Sequence, residues 1–193
     1  GVGFKLAQAY HQQHNLPFED LVPLLDLVVV SIAADIVPII DENRVLSFYG
    51  LQQLNTSPRI GLKALMDVAN RKDNFNISDV VFGLAPRINA AGRIEHGNKA
   101  VELLVQQDFS IAKEKADYID NHNFTRKELD KRITQEALAM IVPDANSTVV
   151  CSEKWHKGVV GIVASRLIET HYRPTIVLTE SNGKLTGSAR SVS

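Results

Sequence analysis

Apolar positions set the expected elements of this chain, and their spacing changes several times along it. Phe4, Leu6, Ala7, Ala9 and Tyr10 form a short helical face, and Asn15-Leu16-Pro17 breaks it. Over residues 23–35 the run PLLDLVVVSIAAD is apolar nearly all round. That predicts a buried helix with proline near its first turn, a buried strand being the alternative. Pro38 should end the helix, because a residue before proline is pushed out of the α region. Asp41-Glu42-Asn43 then reads as a turn. Leu62, Leu65, Met66 and Ala69 predict a short amphipathic helix over 59–69, and 74–79 reads as polar loop. Helical spacing returns at Asn98, with Val101, Leu104 and Val105 on one face, and breaks around Asp108-Phe109-Ser110.

A much longer helix follows, with a seam through Ala112, Ala116, Ile119, Asn123, Arg126, Asp130, Ile133, Ala137 and Met140. The seam is apolar at both ends and polar in the middle, so each end should be buried in its own core and the middle should cross open space. A domain boundary is therefore expected along it, with Pro143 and Asp144 ending the helix. The remainder reads as strand (148–151), helix (159–170), strand (175–178), Asn182-Gly183 turn and strand (184–188), the opening of an α/β domain.

With 193 residues and 45% hydrophobic content, the chain can bury one substantial core or two smaller ones. Net charge of −1, from 21 basic and 22 acidic side chains, gives no global attraction to a polyanion, so any nucleic-acid site must be local. The single cysteine, Cys151, excludes an internal disulfide and a cysteine-rich zinc site, fits a reducing cytoplasm, and reads as a small buried hydrophobe. No apolar run reaches the roughly 20 residues of a membrane span, and no signal-peptide pattern opens the chain. The expectation is a cytoplasmic protein without a membrane partner, cut at both ends.

Four constellations could carry chemistry. Asp35 is a carboxylate closing an apolar helix, where the macrodipole is negative and solvation poor. An arginine partner or a divalent cation would satisfy it. Pro86-Arg87-Ile88-Asn89-Ala90-Ala91-Gly92-Arg93, with little regular periodicity, sets two guanidiniums among small residues. It suits phosphate oxygens, or is a packing turn with surface arginines. In Trp155-His156-Lys157-Gly158-Val159-Val160-Gly161, His156 and Lys157 stand at a helix N-terminus, an anion site or an ordinary cap. In Gly187-Ser188-Ala189-Arg190-Ser191, alternation puts Ser188 and Arg190 on one strand face, where both could grip a phosphate, or else the segment is an exposed edge.

Taken in order, GVGFKLAQA, LLDLVVVSIAADIVP, ENRVLSFYGL, PRINAAGRI, the Asn123 and Arg126 pair, WHKGVVGIVASRL and GSARS resemble the RecJ family of the DHH phosphoesterase superfamily across essentially the whole chain. The resemblance implies an α/β fold: the helix-rich remainder of a DHH domain (1–108), a long connecting helix (109–142) and part of a DHH-associated nucleic-acid-binding domain (143–193). It implies a 5′-to-3′ single-stranded DNA exonuclease of recombination and repair that uses two divalent ions, Mn or Mg, with helicase or single-strand-binding protein partners. Carried over by motif, Asp35 is a metal ligand and catalytic residue, and Arg93 a second catalytic residue offsetting phosphate charge. Asn89, His156, Ser188, Arg190 and Ser191 contact the DNA.

The family's earlier Asp-x-Asp and Asp-His-His motifs do not occur in these residues. The chain alone is therefore expected to be inactive, since hydrolysis with two metals needs both ions, and to leave a sheet edge open. A relative cleaving cyclic dinucleotides or short oligonucleotides would carry a Gly-Gly-Gly-His type motif in place of GSARS. A strand-binding module without turnover is the remaining alternative.

Overall fold

The computed structural model describes residues 1–70, 74–94 and 97–192. They form two compact units, 1–122 and 123–193.

The first unit is helical. Helix α1 (Val2–Gln13) is followed by a 3-10 helix (Phe18–Leu24) and by α2 (Leu25–Ala34). Phe4, Leu21, Leu25, Val28 and Ile32 from these three segments form one apolar cluster. The run from residue 23 is thus helical, as its all-round apolarity implies, but its α-helical part starts at Leu25 because Pro23 lies inside the 3-10 helix. It also ends before Pro38 can act: Asp35 is the C-cap and Ile36 adopts a left-handed φ of 52°.

The expected turn at Asp41-Glu42-Asn43 is instead the first turn of α3 (Asp41–Thr56), whose acidic start complements the helix dipole. Helix α3 lies close on α2 because Gly50 faces the Leu25 carbonyl, where a Cβ would sit 2.6 Å from the oxygen. Helix α4 (Ile60–Val68) matches its amphipathic pattern. The expected loop over 74–79 contains a helical turn, α5 (Ile77–Asp79), started by a capping box. Its Asn76 side chain accepts from the Asp79 N–H, and the Asp79 side chain accepts from the Asn76 N–H.

Helix continues through a π turn (Val80–Leu84) into α6 (Ala85–Ile94), so PRINAAGR is helical despite its weak periodicity. Pro86 sits in the first turn of α6, following the irregular π turn. Helix α7 (Asn98–Leu104) follows. Leu54, Leu62, Leu65, Val80, Leu84 and Leu103, all fully buried, centre the core of this unit together with Ala112, Ala116 and Ile119 of α8 (Phe109–Ala139).

The units divide within α8, between His122 and Asn123. Its polar middle does not cross open space: Asn123 is 2% and Asp130 4% exposed. Met140, expected at the buried end of the seam, lies past the helix and is 47% exposed. In the second unit β1 (Thr148–Cys151) leads through α9 (Val160–Thr170) to β2 (Thr175–Ser181) and β3 (Lys184–Arg190). The sheet order is β1-β2-β3, the first pair parallel and the second antiparallel.

Asn182 and Gly183, with φ of 55° and 70°, close the β2–β3 hairpin in the left-handed backbone that Asn-Gly favours. Arg173 ties the exit of α8 to the sheet, donating to the Thr148 hydroxyl and to the carbonyls of Val142, Pro143 and Ala145. Cys151 is exposed rather than buried, because it falls on the outer face of edge strand β1. Among the described residues, no helix is long and apolar enough to cross a membrane.

Candidate nucleic-acid interface

The expected site residues fall in both units. In the first, Asp35 is exposed at the end of α2, where its backbone N–H donates to the Ser31 carbonyl. Its carboxylate takes no side-chain partner among the described residues, so none of their arginines supplies the ion pair that was one of the two expectations. A carboxylate at the negative end of a helix is suited to a cation, but no group of three His, Cys, Asp or Glu able to hold a metal exists among the described residues. Asp35 fits as one oxygen ligand. The described residues do not complete a metal site.

Asn89 and Arg93 are both exposed and stand one turn apart on α6, on one face of that helix. The two arginines of this segment differ in exposure, Arg87 being half-buried and Arg93 exposed. Arg87 is spent on structure, its Nε 2.8 Å from Asp120 of α8 and its Nη1 donating to the Gly83 carbonyl. Arg93 projects from the last turn of α6.

In the second unit the geometry is tighter. The Arg190 Nη1 donates to the Ser188 hydroxyl at 2.8 Å, so the alternation expected of β3 does place them on one face. Arg190 Nη1 also reaches the Ala189 carbonyl, Nε donates to the Ser165 hydroxyl at 3.1 Å, and Nη2 lies 3.5 Å from the Gly161 carbonyl. The Ser165 hydroxyl donates in turn to the Gly161 carbonyl. Among the described residues every oxygen holding this guanidinium is neutral, so they orient it without compensating its charge. The Ser188 oxygen, having accepted from Arg190, keeps its own proton to donate. Together they present the donors a phosphate oxygen needs.

Ser191 does not join them. It follows the strand, and its hydroxyl turns to the Val192 carbonyl. His156 lies in the loop before α9, where Nδ1 accepts the Gly158 N–H at 3.1 Å. That bond fixes the proton on Nε2 and leaves it as a donor. The sequence singled out neither Ser165 nor the Gly161 carbonyl as a partner of Arg190. Their spacing of four on α9 was the available signal, but only the packing of α9 beside β3 makes it meaningful.

A helical unit, a long helix and a small mixed sheet carrying these motifs in this order define a RecJ-type segment, and the chain is of that type over its whole length. No family model matches it. The single-stranded-DNA-specific exonuclease RecJ of Bacillus subtilis is 43% identical over 198 residues, covering 100% of this chain and 24% of that protein. The RecJ of Haemophilus influenzae is 40% identical, covering 88% of this chain and 31% of that protein. Crystal structures of RecJ from Thermus thermophilus in complex with Mg2+ and with Mn2+ superpose with TM-scores of 0.91 and 0.90 at 32% identity, covering 100% of this chain and 30% and 28% of those chains. The chain thus spans about a quarter to a third of the length of the relatives it matches.

Proposed function

We propose that the protein to which these residues belong is a metal-dependent exonuclease that degrades single-stranded DNA from its 5′ end in recombination and repair, working in the cytoplasm. The observation that carries this reading is Arg190: an exposed guanidinium aimed by Ser165, Ser188 and Gly161 with no acidic partner among the described residues, suited to hold a strand's phosphate. In this reading residues 1–108 are the later part of a DHH domain, 109–142 the connecting helix and 143–193 part of the nucleic-acid-binding domain. Ser188, Arg190, Ser191, His156 and Asn89 contact the strand, and Arg93 offsets phosphate charge.

Mg2+ or Mn2+, as in the solved relatives, would take Asp35 as one ligand and supply an activated water. Helicase and single-strand-binding protein partners are supported by the family resemblance. The test is fluorescence-anisotropy binding of 5′-phosphorylated single-stranded DNA to the full-length protein. Arg190→Ala is expected to weaken binding at least tenfold, in line with about 1.5–3 kcal/mol for a charge-assisted hydrogen bond. Asp35→Asn is expected to abolish hydrolysis while sparing binding. Full nuclease rate in Asp35→Asn, or unchanged affinity in Arg190→Ala, would contradict the corresponding assignment.

A further inference from the structure

A groove of about 500 Å3 in the second unit lies between α8 and α9, and the proposed exonuclease reading assigns it no role. Arg126, Lys127, Lys131 and Arg166 line it, with Ile162 on the α9 side and Asp130 as its only carboxylate among the described residues. That carboxylate is consumed. Asp130 is 4% exposed, and its oxygens accept the Arg166 Nε and Nη2 at 2.9 and 2.8 Å, with the Thr134 hydroxyl beside them. The side-on pair locks the guanidinium in place and keeps Arg166 a firm cation, its pKa raised by the hydrogen bond to Asp130.

Lys127 and Lys131 are exposed, stand one turn apart on α8, and have no acidic partner among the described residues. Glu169 on α9 adds a more distant negative charge near Arg166. Glu128 and Glu136 share this stretch of α8 without lining the groove, and Glu136 accepts from the Trp155 indole N–H.

Position gives the groove its meaning. Arg190 rests on Gly161 and Ser165 of α9, while the groove uses Ile162 and Arg166, the next residue along in each case. Successive helical residues point about 100° apart, so the Arg190 side and the groove are adjoining faces of the same short helix. We propose that this groove is a second backbone site, in which Lys127 and Lys131 take phosphates of the same single strand that Arg190 holds, further along its length.

This inference rests on the exonuclease reading, and the test separates the two. Full-length protein, with chelator to stop turnover, is titrated with a 5′-phosphorylated thymidine trinucleotide and with a long thymidine homopolymer across a salt series. In the double variant Lys127→Glu and Lys131→Glu the trinucleotide should bind as before, while the long strand loses the affinity gained from its length. Its log K against log salt slope should fall by about 1.4, at roughly 0.7 per phosphate contact on a single strand. The pair Lys127→Arg and Lys131→Arg should keep the native slope. Arg190→Ala should weaken both lengths. If it weakens neither while the double variant still loses the length dependence, the Arg190 assignment fails and the groove stands. An unchanged slope and long-strand affinity in the glutamate variant would overturn the groove. So would an equal loss for both lengths, or a loss confined to binding of a synthetic polyglutamate peptide, which would make it a surface for acidic protein.

Discussion

Arg190 is useful to a ligand only as far as its neighbours hold it still, and one of those neighbours is a serine on another element. Ser165 accepts from Arg190 Nε and anchors itself on the Gly161 carbonyl. Ser165→Ala should weaken single-strand binding by about three- to tenfold, on the scale of 0.5–1.5 kcal/mol for one neutral hydrogen bond. Ser165→Thr should restore it with thermal stability unchanged throughout. The same strand carries a steric constraint: a Cβ on Gly187 would overlap the Val177 carbonyl oxygen and stand 2.7 Å from the Leu178 side chain. Gly187→Ala should therefore cost about 1–3 kcal/mol or more by overpacking, read as a lower denaturant midpoint. The Ser188 and Arg190 pairing was legible from alternation alone, because a strand's period of two needs no tertiary information. Ser165 was not, since the contact spans 25 positions in sequence.

Among the elements, α2 carries an acid that its sequence conceals. Asp26 sits inside the apolar run that predicts a buried helix, and it is buried, at 1% exposure. Its carboxylate accepts the Arg59 backbone N–H, Nε and Nη2, joining the first turn of α2 to the N-cap of α4. Removing one partner strands the other, so Asp26→Ala should cost about 3–5 kcal/mol, measurable by equilibrium urea unfolding. Asp35 is the carboxylate that attracts notice in the sequence, yet Asp26 is the one that holds the fold.

Helix α3 was hidden for a different reason: it opens on turn-forming residues, and Val45, Phe48 and Tyr49 are each more than half exposed, which blurs its apolar face. A surface tie links α7 to α8, where Lys115 donates to Glu102 at 2.7 Å and lowers its pKa. A depressed carboxylate stabilises the fold above its ordinary value of 4.5 and loses that contribution as pH falls through the lower folded value. Lys115→Met should flatten the decline of melting temperature below pH 4.5, and added salt should shrink the difference between the two proteins.

At the scale of all 193 residues, a net charge of −1 means that their long-range attraction to a polyanion is weak and that any binding must come from local clusters. The helical first half, apart from α3, and the α/β close were legible in the spacing of apolar positions. The division of the chain falls inside α8, the one element whose seam changes character midway. What the seam could not reveal was that its polar middle is buried, since Asp130 finds Arg166 only 36 residues later. Composition likewise made Cys151 an interior residue, and edge strand β1 turns it outward. It is the only thiol among the 193 residues, exposed at the end of β1 on the threshold of the loop that carries His156. A single maleimide dye attached there would have one address in this chain, on the sheet face opposite Ser188 and Arg190, and would label the domain without touching the residues proposed to hold a strand.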